Sequence, residues 1–225
     1  TFLQRAILQG VPILYGASGE ILTEKSGNLN LGIPGIMYMG GVSGLIAAFF
    51  YERAAGERAS GLVGLFLSLA AALLISMLAG LLYSFLTVTL RANQNVVGLS
   101  LTTFGVGFGN FFGGSLSQLA GGVGQISTKL TAAAYRQSLP GLSKLPFVGK
   151  AFFSFGFLTY FSIILALCLA FLLTGTRKGL EIRAVGEDPA AADAAGVDVN
   201  RVKYVSTVLG AALAGLGGLC FVMEY

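Results

Sequence analysis

The sequence predicts an all-α fold, a polytopic transmembrane helical bundle, and three observations carry that reading. Hydrophobic residues make up 55% of the 225 residues and charged residues only 11%, against about 25% charge in an ordinary soluble domain. The excess is gathered into long apolar runs, as in a membrane chain rather than a globular core. Glycine is abundant at 33 residues with no three-residue period. That pattern excludes collagen and points to helices packed closely in lipid.

Six apolar segments follow in order: Phe2 to Ala17, Ile33 to Phe50, Leu62 to Leu90, Val96 to Phe112, Phe152 to Leu173, and one starting near Val205. The third exceeds the ~20 residues that cross a bilayer, so it is expected to tilt or to emerge. Between the first two lies "SGEILTEKSGNLNLGIPG", too polar to face lipid. Irregular backbone at membrane depth requires a protein or water surround. This piece is therefore expected to be either a re-entrant element or a surface loop. Residues 113–150 are mixed and turn-rich, with Pro140 and Pro146, and fit short interfacial helices. The chain starts at Thr1 without a Met and stops at Tyr225 just after an apolar run. It reads as one transmembrane domain, residues 1–225, of a longer protein with further C-terminal spans.

Basic residues number seven in loops one, three and five and six in loops two and four, which decides no topology. Five of the seven lie in or beside residues 179–204, which favours the cytoplasm for that stretch. The net charge of +4 comes without a basic, aromatic-interleaved cluster, so nucleic acid is not an expected partner. Cys168 and Cys220 sit in apolar runs and are expected to be packing residues.

The stretch "GLEIRAVGEDPAAADAAGVDVNRVKY" joins the last two apolar segments. Within it, Asp188 to Ala195 reads as a short helix. Asp188 is a good N-cap, Pro189 suits the first turn, and five of the next six residues are alanine. Gly196 supplies the stop. So short a helix is marginal alone and is expected to dock. Ala192 and Ala195 give it a low-profile surface that suits a groove on a partner. Arg183 and Glu187, four apart, are expected to brace the approach, against each other or against the partner.

This stretch resembles the cytoplasmic coupling segment of permease subunits of bacterial ABC importers, in the branched-chain amino acid, ribose and nucleoside group. "EKSGNLNLGIPGIMYMGG" resembles the signature after the first span of the nucleoside or simple-sugar branch. "LLYSFLTVTLRANQNVVGLSLTTFGVG" resembles its third-to-fourth span passage. The resemblance implies a bundle of the ABC importer permease type, in the bacterial cytoplasmic (inner) membrane, with a short cytoplasmic coupling helix. It implies ABC ATPase subunits holding ATP and Mg2+, a second permease subunit, and a periplasmic or lipoprotein solute-binding protein. It assigns Arg183, Glu187, Asp188, Pro189, Ala192, Ala195 and Gly196 to coupling. Two positions depart from the family pattern. Pro34 stands where a Glu is frequent, and Asp188 where an Asn is frequent. Asp188 preserves the cap, whereas Pro34 removes a charge and a backbone donor.

The chain has no histidine and no G-x-x-x-x-G-K-[ST] run. His-based catalysis, His metal sites and a Walker-type nucleotide site are therefore not expected in it. No cofactor is expected in this chain. Glu20 and Glu24 are expected to cap and solvate a loop. Gly210, Ala214 and Gly218 place small residues on one helical face. Polar groups in apolar surroundings must pair or face a cavity. Among them Asn28, Asn30, Asn93, Asn95 and Thr102 are the expected path-lining residues, drawn from a wider set with Gln94, Thr103 and Asn110. Amides and hydroxyls suit a neutral, hydroxyl-rich solute. Among solutes the resemblance implies, nucleosides lead, then simple sugars, then branched-chain amino acids. An ion-coupled secondary transporter with broken helices is the alternative, and a membrane scaffold a third class. Integral insertion predicts that alkaline carbonate leaves the chain in the membrane pellet; release by carbonate or by salt alone refutes it.

Overall fold

The computed structural model describes residues 2–119, 128–136 and 155–224, and the described regular structure is helical. Helix α1 runs Phe2–Lys25, α2 Ile33–Ala55 and α3 Gly61–Ser84. A π-helical turn, Phe85–Thr89, continues α3. Then come α4, Gln94–Leu119, the short α5, Lys129–Tyr135, and α6, Phe157–Gly175. Two polar helices follow, α7, Arg177–Glu187, and α8, Pro189–Ala194. The last is α9, Val199–Glu224.

Helix α9 is the axis of the bundle and packs against α1, α2 and α3. Lipid offers no hydrophobic drive between helices, so close van der Waals contact must hold them. The sequence provides for this with small residues on α9. A Cβ placed on Gly210 would strike the Thr23 hydroxyl, and one on Gly218 the Met37 carbonyl. Gly215 lies against Ser76 of α3 in the same way, and Gly40 of α2 lies against the Gly215 backbone. Gly35 and Gly105 bring α2 and α4 together. Gly210, Ala214 and Gly218, the face expected from spacing, are buried, and so are nearly all their neighbours from 210 to 220, so α9 is enclosed on almost every side there.

Buried hydroxyls supplement this packing. The Tyr15 hydroxyl donates to the Leu158 carbonyl at 2.8 Å, tying α1 to α6. The Tyr135 and Ser68 hydroxyls lie 2.8 Å apart, pinning α5 onto α3. Cys220 is buried in the core, Cys168 is exposed on α6, and both are free thiols.

The structure corrects the sequence reading at several points. The first segment does not end at Ala17; α1 is unbroken to Lys25, so "SGEILTEK" is helix. Only residues 26–32 are non-helical between α1 and α2, a shorter irregular piece than the eighteen residues read as too polar to face lipid. Among the described residues five helices are long and apolar enough to cross a membrane: α2, α3, α4, α6 and α9. Six were expected, and α1 is not among the five, because polar residues at both its ends dilute its apolar middle. The overlong third segment is one continuous helical stretch, Gly61–Thr89, whose last five residues form the π turn. Helix α4 continues past Phe112 into the turn-rich region. Pro140, Pro146 and the Phe152 start of the fifth segment lie outside the described residues.

Overpacking a close crossing costs about 1–3 kcal/mol. Gly218→Val is accordingly expected to lower the thermal unfolding midpoint in detergent by several degrees. Gly107 has nothing within 4 Å of its Cβ position, so Gly107→Ala should leave that midpoint unchanged or raised, given alanine's helix preference of about 1 kcal/mol.

Candidate functional site

Three features occupy the bundle from one end toward its middle. At the end that carries α7 and α8, residues 26–32 form a buried polar clasp. Lys25 ends α1, and Gly27 then turns the chain at φ +82°, a conformation that glycine adopts without strain. Four neighbouring helices, α1, α3, α4 and α9, take hold of the loop. The Asn28 amide donates to Thr207 Oγ1 of α9 at 3.2 Å. Gln94 of α4 donates to the Gly27 carbonyl and to Asn28 Oδ1, and accepts from the Leu29 N–H at 2.9 Å. Glu20 Oε1 of α1 accepts from the Asn30 N–H at 2.9 Å. Asn30 Oδ1 accepts from the Gly32 N–H. The Tyr83 hydroxyl of α3 donates to the Leu29 carbonyl, and Thr102 Oγ1 of α4 donates to the Leu31 carbonyl at 2.6 Å. Glu20 Oε2, Asn30 Nδ2 and Ser84 Oγ are buried with no protein partner.

Toward the middle of the bundle, a groove of about 750 Å3 opens between α1, α2, α4 and α9. Pro34, Met37 and Tyr38 of α2 line it, with Gly41 and Gly218 at their close crossing. Gln9 and Asn110 bring amides into a mostly apolar wall. The Tyr38 hydroxyl donates to Asn110 Oδ1 at 3.0 Å. The groove thus offers an aromatic ring, a paired amide and a second amide.

The third feature is the polar hairpin. Thr176 Oγ1 accepts from the Gly179 N–H and starts α7. Asp188 Oδ1 accepts from the Ala190 and Ala191 N–H groups, both at 3.0 Å, and starts α8. Gly196 ends α8 at φ +84°, and its N–H donates to the Asp193 carbonyl. Pro189, Ala190 and Ala195 are exposed, whereas Ala192 is buried. The hairpin leans on the clasp through glycine against glycine: a Cβ on Gly27 would meet Gly186 Cα at 3.3 Å, and one on Gly186 would strike the Lys25 carbonyl.

The family model for the branched-chain amino acid transport system, permease component, matches residues 2–225. The chain belongs to that family. It is 32% identical to the guanosine ABC transporter permease NupQ of Bacillus subtilis, over 94% of this chain and 64% of that protein. It is 32% identical to the nucleoside ABC transporter permease NupC of Lactococcus lactis, over 96% of this chain and 65% of that one. It is 31% identical to the putative glucose ABC transporter permease TsgC13 of Haloferax volcanii, over 96% of this chain and 61% of that one. The chain thus spans a little under two thirds of the length of these relatives. No solved structure matches it. Family and apolar helices together make it a multi-pass membrane protein.

The expected path residues are found mainly around the clasp. Asn28 and Asn30 are buried; the Asn28 amide and the Asn30 Oδ1 are engaged by the chain itself, whereas Asn30 Nδ2 is not. Thr102 is bonded to the loop carbonyl. Asn93 Oδ1 caps α4 through the Asn95 and Val96 N–H groups, and the Asn93 and Asn95 side chains are exposed. Glu20 also has another place than expected: it is a helical residue that grips the loop, while Glu24 is exposed. None of these residues lines the groove. Gln9, Tyr38 and Asn110 do, and only Asn110 stood in the wider sequence set. Tyr38 and Gln9 sit inside apolar runs, and no spacing signal marks them as facing a common space.

In the polar hairpin, α8 forms as expected between its Asp188 cap and Gly196. Arg183, expected to lie ahead of a lone helix, belongs to a helix of its own, α7. Arg183 forms no ion pair with Glu187; its Nε is buried without a partner. Glu187 is the last residue of α7 and is exposed. Ala192 is not on the outer surface, because it is the one buried residue of α8. Loss of an N-cap costs about 1 kcal/mol. Asp188→Ala is therefore expected to speed hydrogen exchange at the Ala190 and Ala191 amides roughly fivefold. Gly196→Val, forced to positive φ, should fray α8 more than Gly196→Asn does.

Proposed function

We propose that this chain is the transmembrane part of an ATP-driven importer that passes nucleosides or related sugar-containing solutes across the bacterial inner membrane. The observation that carries the reading is the groove between α1, α2, α4 and α9. Its Tyr38 ring offers a face for a nucleobase, and its Gln9 and Asn110 amides suit neutral donors and acceptors. Pro34 lines the same groove with no charge, which fits an uncharged solute better than an ionic one. The naming of two relatives for guanosine and nucleoside transport supports the same class. The relative named for glucose makes simple sugars the second choice.

In this reading the chain performs no bond chemistry. Separate ABC ATPase subunits bind ATP with Mg2+ and hydrolyse it. A second permease subunit completes the path, and a periplasmic or lipoprotein solute-binding protein delivers the solute. Helix α8 docks in a cleft on the ATPase through its exposed Pro189, Ala190 and Ala195 face. Movement of α8 is passed through α7 to the clasp, and from the clasp to α4 and the start of α2, which carry the groove.

The test is uptake of radiolabelled guanosine by vesicles holding the whole importer, with and without hydrolysable ATP. ATP-dependent uptake is expected. Base–aromatic stacking contributes about 1–3 kcal/mol, so Tyr38→Ala should lower uptake at low solute roughly tenfold. Ala195→Trp should abolish co-purification of the ATPase while leaving membrane insertion intact. Ala192→Trp does not serve here, because Ala192 packs inside its own chain. Uptake that persists on a proton or sodium gradient without ATP hydrolysis overturns the mechanism in favour of a secondary transporter. Glucose uptake without guanosine uptake moves the substrate to the sugar class.

A further inference from the structure

A second recess, of about 580 Å3, opens on the outside of the bundle between the end of α6, α7 and the start of α9. Its composition is divided by depth. Arg177, Lys178 and Arg201 stand at its rim, with Glu181 and Asp198. Both acids are already engaged. Glu181 pairs with the Lys178 ammonium at 2.7 Å, and Asp198 Oδ1 accepts from the Arg201 backbone N–H at 2.9 Å. Neither the Arg177 nor the Arg201 guanidinium has a carboxylate partner among the described residues.

The floor is apolar. Leu172 of α6 and Val205 and Leu209 of α9 line it, and all three are exposed. Leu172 lies three residues inside the end of α6 at Gly175, and Leu209 ten residues inside the start of α9 at Val199. At 1.5 Å per residue the floor reaches about 15 Å along the span. A soluble ATPase can meet the rim, but it does not enter the hydrocarbon to that depth.

We propose that this recess is a binding site for an anionic phospholipid. The headgroup phosphate sits between Arg177 and Arg201, and an acyl chain lies along Leu172, Val205 and Leu209. Two uncommitted guanidiniums match a phosphate by charge and by paired donors. They stand where two spanning helices meet the aqueous phase, which is the level of lipid headgroups. The occupant lies beside the coupling hairpin, because Ala195 and Gly196 close one side of the recess.

The experiment uses the whole importer, purified after reconstitution in phosphatidylcholine nanodiscs with or without phosphatidylglycerol. Native mass spectrometry counts the phosphatidylglycerol retained per permease. Retention is expected for the parent and should fall roughly 30-fold when R177Q and R201Q are combined, each arginine contributing near the headgroup level. Val205→Trp fills the floor but keeps both charges, and it should also lower retention; it tests the site even if the double variant fails to fold. R53Q with R58Q removes the same charge from the opposite end of the bundle and should change nothing. Unchanged retention in the double variant or in V205W overturns the proposal. So does an equal fall in the opposite-end control, or equal retention of phosphatidylcholine. Loss of the ATPase from the double variant with phosphatidylglycerol still held also overturns it, and makes the rim an ATPase contact.

Discussion

The close approach of α9 to α1, α2 and α3 is the constraint on which the rest of the bundle depends. Apolar side chains gain little by leaving lipid for one another, so spanning helices cohere through contact distance and hydrogen bonds. Glycine at 210, 215, 217 and 218 removes the side chains that would hold the backbones apart. The same crossings set the shape of the candidate path. Gly41 and Gly218 lie together at the back of the groove, so its depth is set by how near α2 and α9 come.

Close packing creates a second requirement at the end of the bundle. Residues 26–32 leave the helix while still enclosed, and enclosed backbone groups must find partners. Side chains from three helices provide them, Glu20, Tyr83, and Gln94 with Thr102, while Thr207 of α9 accepts from the Asn28 side-chain amide. One seven-residue loop is therefore fixed to α1, α3, α4 and α9 at once. It is also in backbone contact with α7 through Gly27 and Gly186. Displacement of the hairpin cannot be absorbed at that contact, because there is no side chain to deform. The polar hairpin is thereby joined directly to the ends of the spanning helices.

Polar residues in the bundle thus fall into two groups with different work. Those at the clasp hold backbone and are largely satisfied within the chain. Those at the groove, Gln9, Tyr38 and Asn110, border open space. Both groups look alike in composition, since an amide in apolar surroundings is the signal for either. Only the location of a cavity separates them.

The sequence by itself determined the class of fold, most of the apolar helices and the limits of α8. These follow from local causes: hydropathy over about 20 residues, a Pro after an Asp cap, and a glycine that can take positive φ. It also determined which face of α9 is small, because a four-residue spacing maps directly onto one side of a helix. Tertiary structure decided what spacing cannot encode. It kept α1 helical through "SGEILTEK", where Glu20 gains the Asn30 N–H as a partner. It turned Ala192 inward and Ala195 outward on a helix whose alanines are alike in sequence. It brought Gln9, Tyr38 and Asn110 to one groove from three helices, and Arg177 and Arg201 to one recess from two. Such meetings depend on helix rotation and crossing, which are fixed by contacts between residues far apart in the chain.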